Sequence, residues 1–255
     1  MKVALITGGA QGVGRGIALH LLRLREPTYN VVVVDRDQAG IDDFLAIVNR
    51  EGIAATKVAA QLRDVSKQAS AQETIKEIRN QFGRLDLLVN NAGGGGLGTA
   101  LEDVTEEQWN NVLNSNLSST FFFSQAAAPL LTSAKGSIVN ISSTRAVMSE
   151  PNSFPYSAAK GGVEGLTHSL ACSLAGKVNV NCLRLGWIDV SGEEFGPGRI
   201  QQLLSEKDHS QHFSGRVGTA SNVAEAVVFL SNAQFVCGEV LTIDGGMTRK
   251  MIYSE

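Results

Sequence analysis

The chain has 255 residues, 43% of them hydrophobic, and a net charge of −3. That size and apolar content suit one α/β domain with a continuous core, and the lack of any basic run argues against a nucleic-acid partner. No apolar stretch approaches the ~20 residues that span a bilayer, and a strand-like run begins at Lys2 with no space for a leader, so a cytoplasmic location without membrane attachment is expected.

Taken in order, "KVALIT" (2–7) reads as a buried strand and "GVGRGIALHLL" as a helix. "NVVVVD" (30–35), with its run of valines, has the fully buried character of a parallel-sheet strand. Helical "QAGIDDFLAIVNREG" ends at Gly52, "ATKVAA" (55–60) is a third strand, and amphipathic "SKQASAQETIKEIRNQFG" ends at Gly83. "RLDLLVNN" (84–91) is a fourth strand, followed by the glycine-rich "AGGGGLG". One long helix is expected from Thr105 to Leu131, with Thr105 and Gln108 resembling a helix start. "GSIVNISS" (136–143) is a fifth strand, "PYSAAKGGVEG" opens a helix of small residues, and "KVNVNCLRL" (177–185) is a sixth strand. After an irregular stretch, "SNVAEAVVFLS" is a helix and "EVLTIDGG" a closing strand. This alternation predicts a single domain built on a parallel sheet of about seven strands, with helices on both faces.

Cys172, Cys182 and Cys237 are scattered without paired spacing and read as reduced core thiols. His209 and His212 sit three apart with no other ligand spacing in view, and no metal is expected.

In open α/β sheets ligands bind beyond the carboxyl ends of the strands, and the unusual residues of this chain collect there. Gly8, Gly12 and Gly14 follow strand one, Asp35 closes strand two, and Asp64 follows strand three. Asn90 and Asn91 close strand four, Ser142 and Ser143 close strand five, and Gly186 follows strand six. The GxxxGxG spacing of "TGGAQGVG" lets backbone approach a pyrophosphate at a helix N-terminus, although a glycine turn without a ligand fits the motif alone. A carboxylate at the place of Asp35 suits an adenosine ribose, and equally suits a helix cap.

With "TGGAQGVG", "NNAG" and "YSAAK" in this order, and "GEVLTIDGG" near the end, the whole chain resembles the short-chain dehydrogenase/reductase family. The resemblance implies a Rossmann-type doubly wound sheet and a catalytic tetrad of Asn116, Ser143, Tyr156 and Lys160. Ser143, thirteen residues before Tyr156, matches the family spacing where Ser142 does not. A free phenol titrates near ~10, a poor base at neutral pH. An ammonium one helical turn away is expected to stabilise the phenolate and lower that value, so that Tyr156 acts as general acid and base. Ser143 is expected to hold the substrate oxygen, Lys160 to reach the nicotinamide ribose as well, and Asn116 to hold a water leading from Lys160.

The cofactor contacts implied are Gly8, Gln11, Gly12, Val13 and Gly14 in the turn, Asp35 and Arg36 after strand two, and Asp64 and Val65 in "RDVS". Asn91, Ala92 and Gly93 of "NNAG" follow, with Gly186, Ile188, Tyr156 and Lys160 at the nicotinamide end. Asp35 would accept bonds from a 2′-hydroxyl and repel a 2′-phosphate by roughly 1 to 4 kcal/mol at ~4 Å, so NAD is expected over NADP. Arg36, directly after it, is of the type that pairs with such a phosphate. The sequence departs from the family where "RLGWIDVSG" puts Leu185 in place of proline and Val190 in place of threonine, which puts the hold on the nicotinamide in doubt.

Residues 187–213 are expected to form a substrate lid; their polar mixture, including Trp187, Glu193, Glu194 and Phe195, leans toward a sugar or polyol substrate. A 3-oxoacyl thioester or a steroid stays open. Arg145 is a candidate substrate contact, or else a partner of Glu150. The resemblance implies a homodimer or homotetramer. A dinucleotide-sensing protein whose chemistry has lapsed is the alternative from another functional class.

Overall fold

The structure is a computed structural model, and residues 1–95, 98–193 and 203–251 are described. The chain runs β1 (Lys2–Thr7), α1 (Gly12–Arg23), β2 (Tyr29–Asp35), α2 (Gln38–Arg50), β3 (Val58–Leu62), α3 (Gln68–Phe82), β4 (Leu87–Asn90), α4 (Glu106–Leu113) and α5 (Ser119–Ala134). It continues through β5 (Ser137–Ser143), α6 (Phe154–Ser173), β6 (Asn179–Leu185), β7 (Ile188–Asp189), α7 (Glu206–Ser210), β8 (Gly218–Thr219), α8 (Ala220–Asn232) and β9 (Val240–Ile243).

Seven strands form one parallel sheet in the order β3-β2-β1-β4-β5-β6-β9. Alternate residues of each strand feed opposite faces. Ala4, Ile6, Val31 and Val33 pack with α1, α2 and α8 on one side, while Leu5, Val32, Val34 and Leu88 pack with α3 and α5 on the other. The order reverses direction between β1 and β4, which opens a crevice at the strands' carboxyl ends.

Two expected elements differ in outline. β3 begins three residues late because Ala55–Lys57 form a 3-10 turn closed by Lys57 N–H donating to Ala54 O. β4 begins at Leu87 because Asp86 is engaged sideways, accepting from Val3 N and from the Arg84 guanidinium.

The long helix expected from Thr105 is two helices. The Thr105/Gln108 capping box does open α4. A single π-type turn, Asn114–Ser118, then separates it from α5, with Ser119 N–H reaching back to Asn114 O. Ser119 Oγ and Thr120 Oγ1 donate to the carbonyls of Ser115 and Asn116, the local back-bonding that loosens a helical ladder. The short β7–β8 pair was not expected from sequence; its two-residue strands lie in the irregular stretch. No described helix is long and apolar enough to cross a membrane.

Candidate active site

A cleft of about 560 Å³ opens at the β1/β4 crevice. Fifteen of the sixteen residues expected to touch a dinucleotide line it: Gly8, Gln11, Gly12, Val13, Asp35, Arg36, Asp64, Val65, Asn91, Ala92, Gly93, Tyr156, Lys160, Gly186 and Ile188. Gly14, the sixteenth, lies beneath the floor. A Cβ there would fall 2.0 Å from Gly8 O and 2.5 Å from Asn91 Nδ2, so its glycine serves the close packing of α1 under the turn. Gly12, by contrast, has φ +60° and nothing within 4 Å of a Cβ position, so its glycine serves the backbone conformation of the turn. Gln11 makes no side-chain cap on α1, whose first turn carries no acid. A glycine-walled hollow ending at a helix N-terminus without a side-chain cap fits a dinucleotide phosphate.

The turn is braced from behind. Ala10 N–H donates to Asp35 Oδ2 (3.1 Å), and Ala10 O accepts from Arg15 Nε (2.6 Å). Arg15 is fully buried and also pairs with Asp43 at 2.8 Å. The other Asp35 oxygen accepts from Arg36 N (2.8 Å) and Asp37 N (3.3 Å). The carboxylate expected to read a ribose therefore also shapes the surrounding backbone, and it is 7% exposed. Arg36 is exposed and forms none of the ion pairs among the described residues. A second hollow of about 370 Å³ shares Arg36, Asp64, Gly94 and Ser115 with the cleft and adds Ser66 and Lys67.

At the far end, β5 delivers Ser143 and α6 delivers Tyr156 and Lys160. Pro155 sits in the first turn of α6, where no intrahelical N–H is needed. The Lys160 ammonium lies 5.5 Å from the Tyr156 ring centroid, yet it donates to Ile141 O (3.0 Å) and is 4% exposed. Burial lowers Lys160 to about 8. Tyr156 departs from expectation. Burial raises the phenol above its ordinary value of 10, and the nearby Ser143 hydroxyl and the charge of Arg145 only partly oppose this. The lysine nitrogen is turned to the strand carbonyl, so in this state desolvation outweighs it.

Asn116 is buried in the π-type turn and does not line the cleft. Its Oδ1 accepts from Gly94 N (3.1 Å) and its Nδ2 donates to Val112 O (2.9 Å), tying α4 to the loop after β4. Gly93, with φ +151°, makes this approach feasible, because a Cβ would stand 2.2 Å from Asn116 Oδ1 and 3.4 Å from Lys160 Nζ.

Two proposed substrate contacts also lie off the cleft. Arg145 pairs with Glu150 at 2.5 Å, and Trp187 packs on His212 with ring centroids 6.5 Å apart. Of the expected lid, Glu194 and Phe195 lie outside the described residues; the backbone just before them reaches the phosphate turn, where Gly12 N–H donates to Glu193 O (2.8 Å). Leu185 and Val190, the two departures from the family pattern, both line the cleft. So do residues not anticipated: Arg63, Gly94, Gly95, Ser115, Ile141 and Ser142. Arg63 adjoins Asp64 in "RDVS" and its guanidinium is held by Glu73 and Glu77. Among the described residues no three His, Cys, Asp or Glu side chains converge on a metal-sized site, and of the three cysteines expected in the core Cys182 alone is buried, Cys172 near the end of α6 and Cys237 before β9 being exposed.

A family model described as enoyl-(acyl carrier protein) reductase matches residues 8–248. An uncharacterized oxidoreductase of Thermotoga maritima is 37% identical over all of this chain and 98% of its own length. The (2S)-[(R)-hydroxy(phenyl)methyl]succinyl-CoA dehydrogenase subunit BbsD of Thauera aromatica is 36% identical, with 96% of each chain covered. Glucose 1-dehydrogenase 2 of Bacillus subtilis is 34% identical over 97% of this chain and 95% of its own. Among solved structures, an apo SCOR enzyme from Clostridium thermocellum superposes with a TM-score of 0.84 at 34% identity, covering 98% of this chain and 94% of that one. ElxO with NADP bound superposes at 0.83 and 30% identity, covering 98% and 99%.

Proposed function

The chain belongs to the short-chain dehydrogenase/reductase family, and from that premise we propose that it interconverts a hydroxyl and a carbonyl on a small substrate with NAD(H). A bound dinucleotide supplies or takes the hydride; the chain supplies the proton and the geometry. Tyr156 is the proton donor and acceptor, with Ser143 beside it to hold the substrate oxygen. Lys160 stands behind the phenol, and Asn116 fixes the α4 end of the wall. With its phenol raised above 10, Tyr156 is protonated at neutral pH, the form that donates in carbonyl reduction.

The observation that carries this reading is the meeting of Ser143, Tyr156 and Lys160 at one end of a glycine-walled cleft. Absorbance at the reduced-nicotinamide band, followed with a panel of ketones and alcohols, tests it. Turnover with any member supports the assignment. NADH binding without turnover across a broad panel would favour the second reading, a dinucleotide-sensing protein with lapsed chemistry, which Leu185 and Val190 at the nicotinamide end motivate.

NAD(H) is the proposed partner because a carboxylate, Asp35, lines the adenosine end. NADP(H) is the specific rival: Asp35 is already engaged by three backbone N–H groups, and Arg36 and Lys67 flank the adjoining hollow. Comparing kcat/KM for the two dinucleotides decides between them. For the substrate we favour a polar hydroxy compound, with the 3-oxoacyl thioester as rival. Relatives of nearly equal identity carry names from both chemistries, a CoA thioester and a sugar, so overall likeness does not choose. A cytoplasmic homodimer or homotetramer is the proposed form; exposed Phe121 on α5 and Phe229 on α8 offer apolar surface for it.

A further inference from the structure

Behind the site lies an ion pair that the chemistry above does not use. Arg184 on β6 and Glu164 on α6 meet in bidentate fashion, Nε to Oε1 at 2.8 Å and Nη2 to Oε2 at 2.6 Å. The side chains are only 20% and 15% exposed. Such a fork fixes orientation as well as distance. Arg184 Nη1 continues to Thr242 Oγ1 on β9 (3.4 Å). Glu164 Oε1 also accepts from Ser142 Oγ (2.9 Å), and that hydroxyl lies 3.1 Å from Lys160 O. One carboxylate thus ties α6 to the ends of β5 and β6, one turn beyond Lys160 and next to the strand residues that precede Ser143 and Gly186.

Resting on the oxidoreductase reading, we propose that the Arg184–Glu164 pair is a positioning device for Lys160. It locks α6 onto the strand ends and cancels the carboxylate's field where the ammonium must exchange its proton. The groups facing Lys160 support this. Its own helix offers Tyr156 and Glu164, β6 offers Cys182 and Arg184, and β5 offers the Ile141 carbonyl and the Ser142 hydroxyl. The turn after β5 adds Arg145, itself paired with Glu150, and α4 carries exposed Glu106 and Glu107. Cys182 feels both Glu164 and Lys160, and burial and then Glu164 push its thiol up to about 12, so it is neutral. Glu164, partly buried one turn beyond Lys160, is therefore the one carboxylate on the lysine's helix, and Arg184 is what pairs with it.

The test titrates Lys160 itself, by the 15Nζ resonance that disappears in Lys160→Ala. It needs no substrate, so it stands apart from the assignment of turnover. Arg184→Gln leaves Glu164 uncompensated and should raise the Lys160 midpoint by about one pH unit. Glu164→Gln leaves the guanidinium uncompensated and should lower the midpoint. The double variant should return it near the parent value. Opposite shifts in the two single variants are the signature of charge compensation, since loss of packing alone would move both the same way or neither. Equal or absent shifts in folded variants overturn the proposal. If one single variant fails to fold, the direction of the other against the double decides.

Discussion

Asp35 Oδ2 accepts the backbone N–H of Ala10 at 3.1 Å, so the end of β2 props the phosphate-binding turn that follows β1. Arg15 holds the opposite side of the same residue through its carbonyl. The acid therefore shapes the turn as well as facing the adenosine end of the cleft.

Asp35→Asn should weaken both dinucleotides, because an amide replaces one acceptor with donors facing N–H groups. Charge-assisted hydrogen bonds of this kind contribute about 1.5–3 kcal/mol, or roughly one to two decades of affinity. Quenching of tryptophan fluorescence on titration measures it. A loss confined to NADH, with improved NADPH affinity, would mean that Asp35 only reads the ribose.

Gly14→Ala tests the floor of the cleft. Its Cβ would stand 2.0 Å from Gly8 O, which nothing flexible relieves. Overpacking of this kind costs about 1–3 kcal/mol. Dinucleotide affinity should fall with it, read by the same titration and by thermal melting.

Lys160 places a depressed cation in the core, and the sign of its linkage follows. Between about 8 and 10.5 the unfolded chain holds a proton that the folded one has released, so stability from this group rises with pH across that window. Below 8 the folded protein carries the buried charge at a cost of up to about 3 kcal/mol. Lys160→Met should raise the melting temperature at pH 7 and flatten the dependence between pH 8 and 10, while abolishing turnover. A lower melting temperature at pH 7 would mean that its hydrogen bond to Ile141 O outweighs desolvation.

Tyr156 runs the other way, since its folded value lies above the ordinary 10. Its contribution to stability is present below pH 10 and is lost as the pH climbs past the folded value. The difference between parent and Tyr156→Phe in phenolate absorbance near 295 nm isolates it from Tyr29 and Tyr253. A midpoint above 10 is expected in the free protein, with carbonyl reduction sustained through neutral pH and alcohol oxidation rising toward alkaline pH. A midpoint below 10 would restore the lysine-stabilised phenolate that the sequence alone suggests.

The sheet was legible from the alternation of strand and helix patterns and the four consecutive valines, and the site from the spaced glycines, "NNAG" and the Tyr-Lys pair taken together in order, since each alone has an ordinary structural explanation. Interruption of the helix after Leu113 was not, because it arises from hydroxyl groups turning back on carbonyls within "SNLSST". The protonation of Tyr156 escaped sequence reasoning for a related reason. Spacing puts a lysine one turn away, but only coordinates show its ammonium bound to Ile141 O and the phenol buried. Arg145 and Trp187 lie close in sequence to Ser143 and Gly186; Arg145 pairs with Glu150 while its charge still acts on Tyr156, and Trp187 packs on His212. Arg184 gave no signal at all, since its partner is twenty residues distant on another element.

In the proposed reaction the Tyr156 phenol moves the proton that accompanies hydride transfer. The most direct measurement is turnover of Tyr156→Phe on a substrate the parent enzyme reduces, with NADH affinity measured alongside. A loss of about 10²-fold or more in kcat is expected, the scale of a positioned acid, with NADH binding retained. Undiminished kcat with intact binding would contradict it.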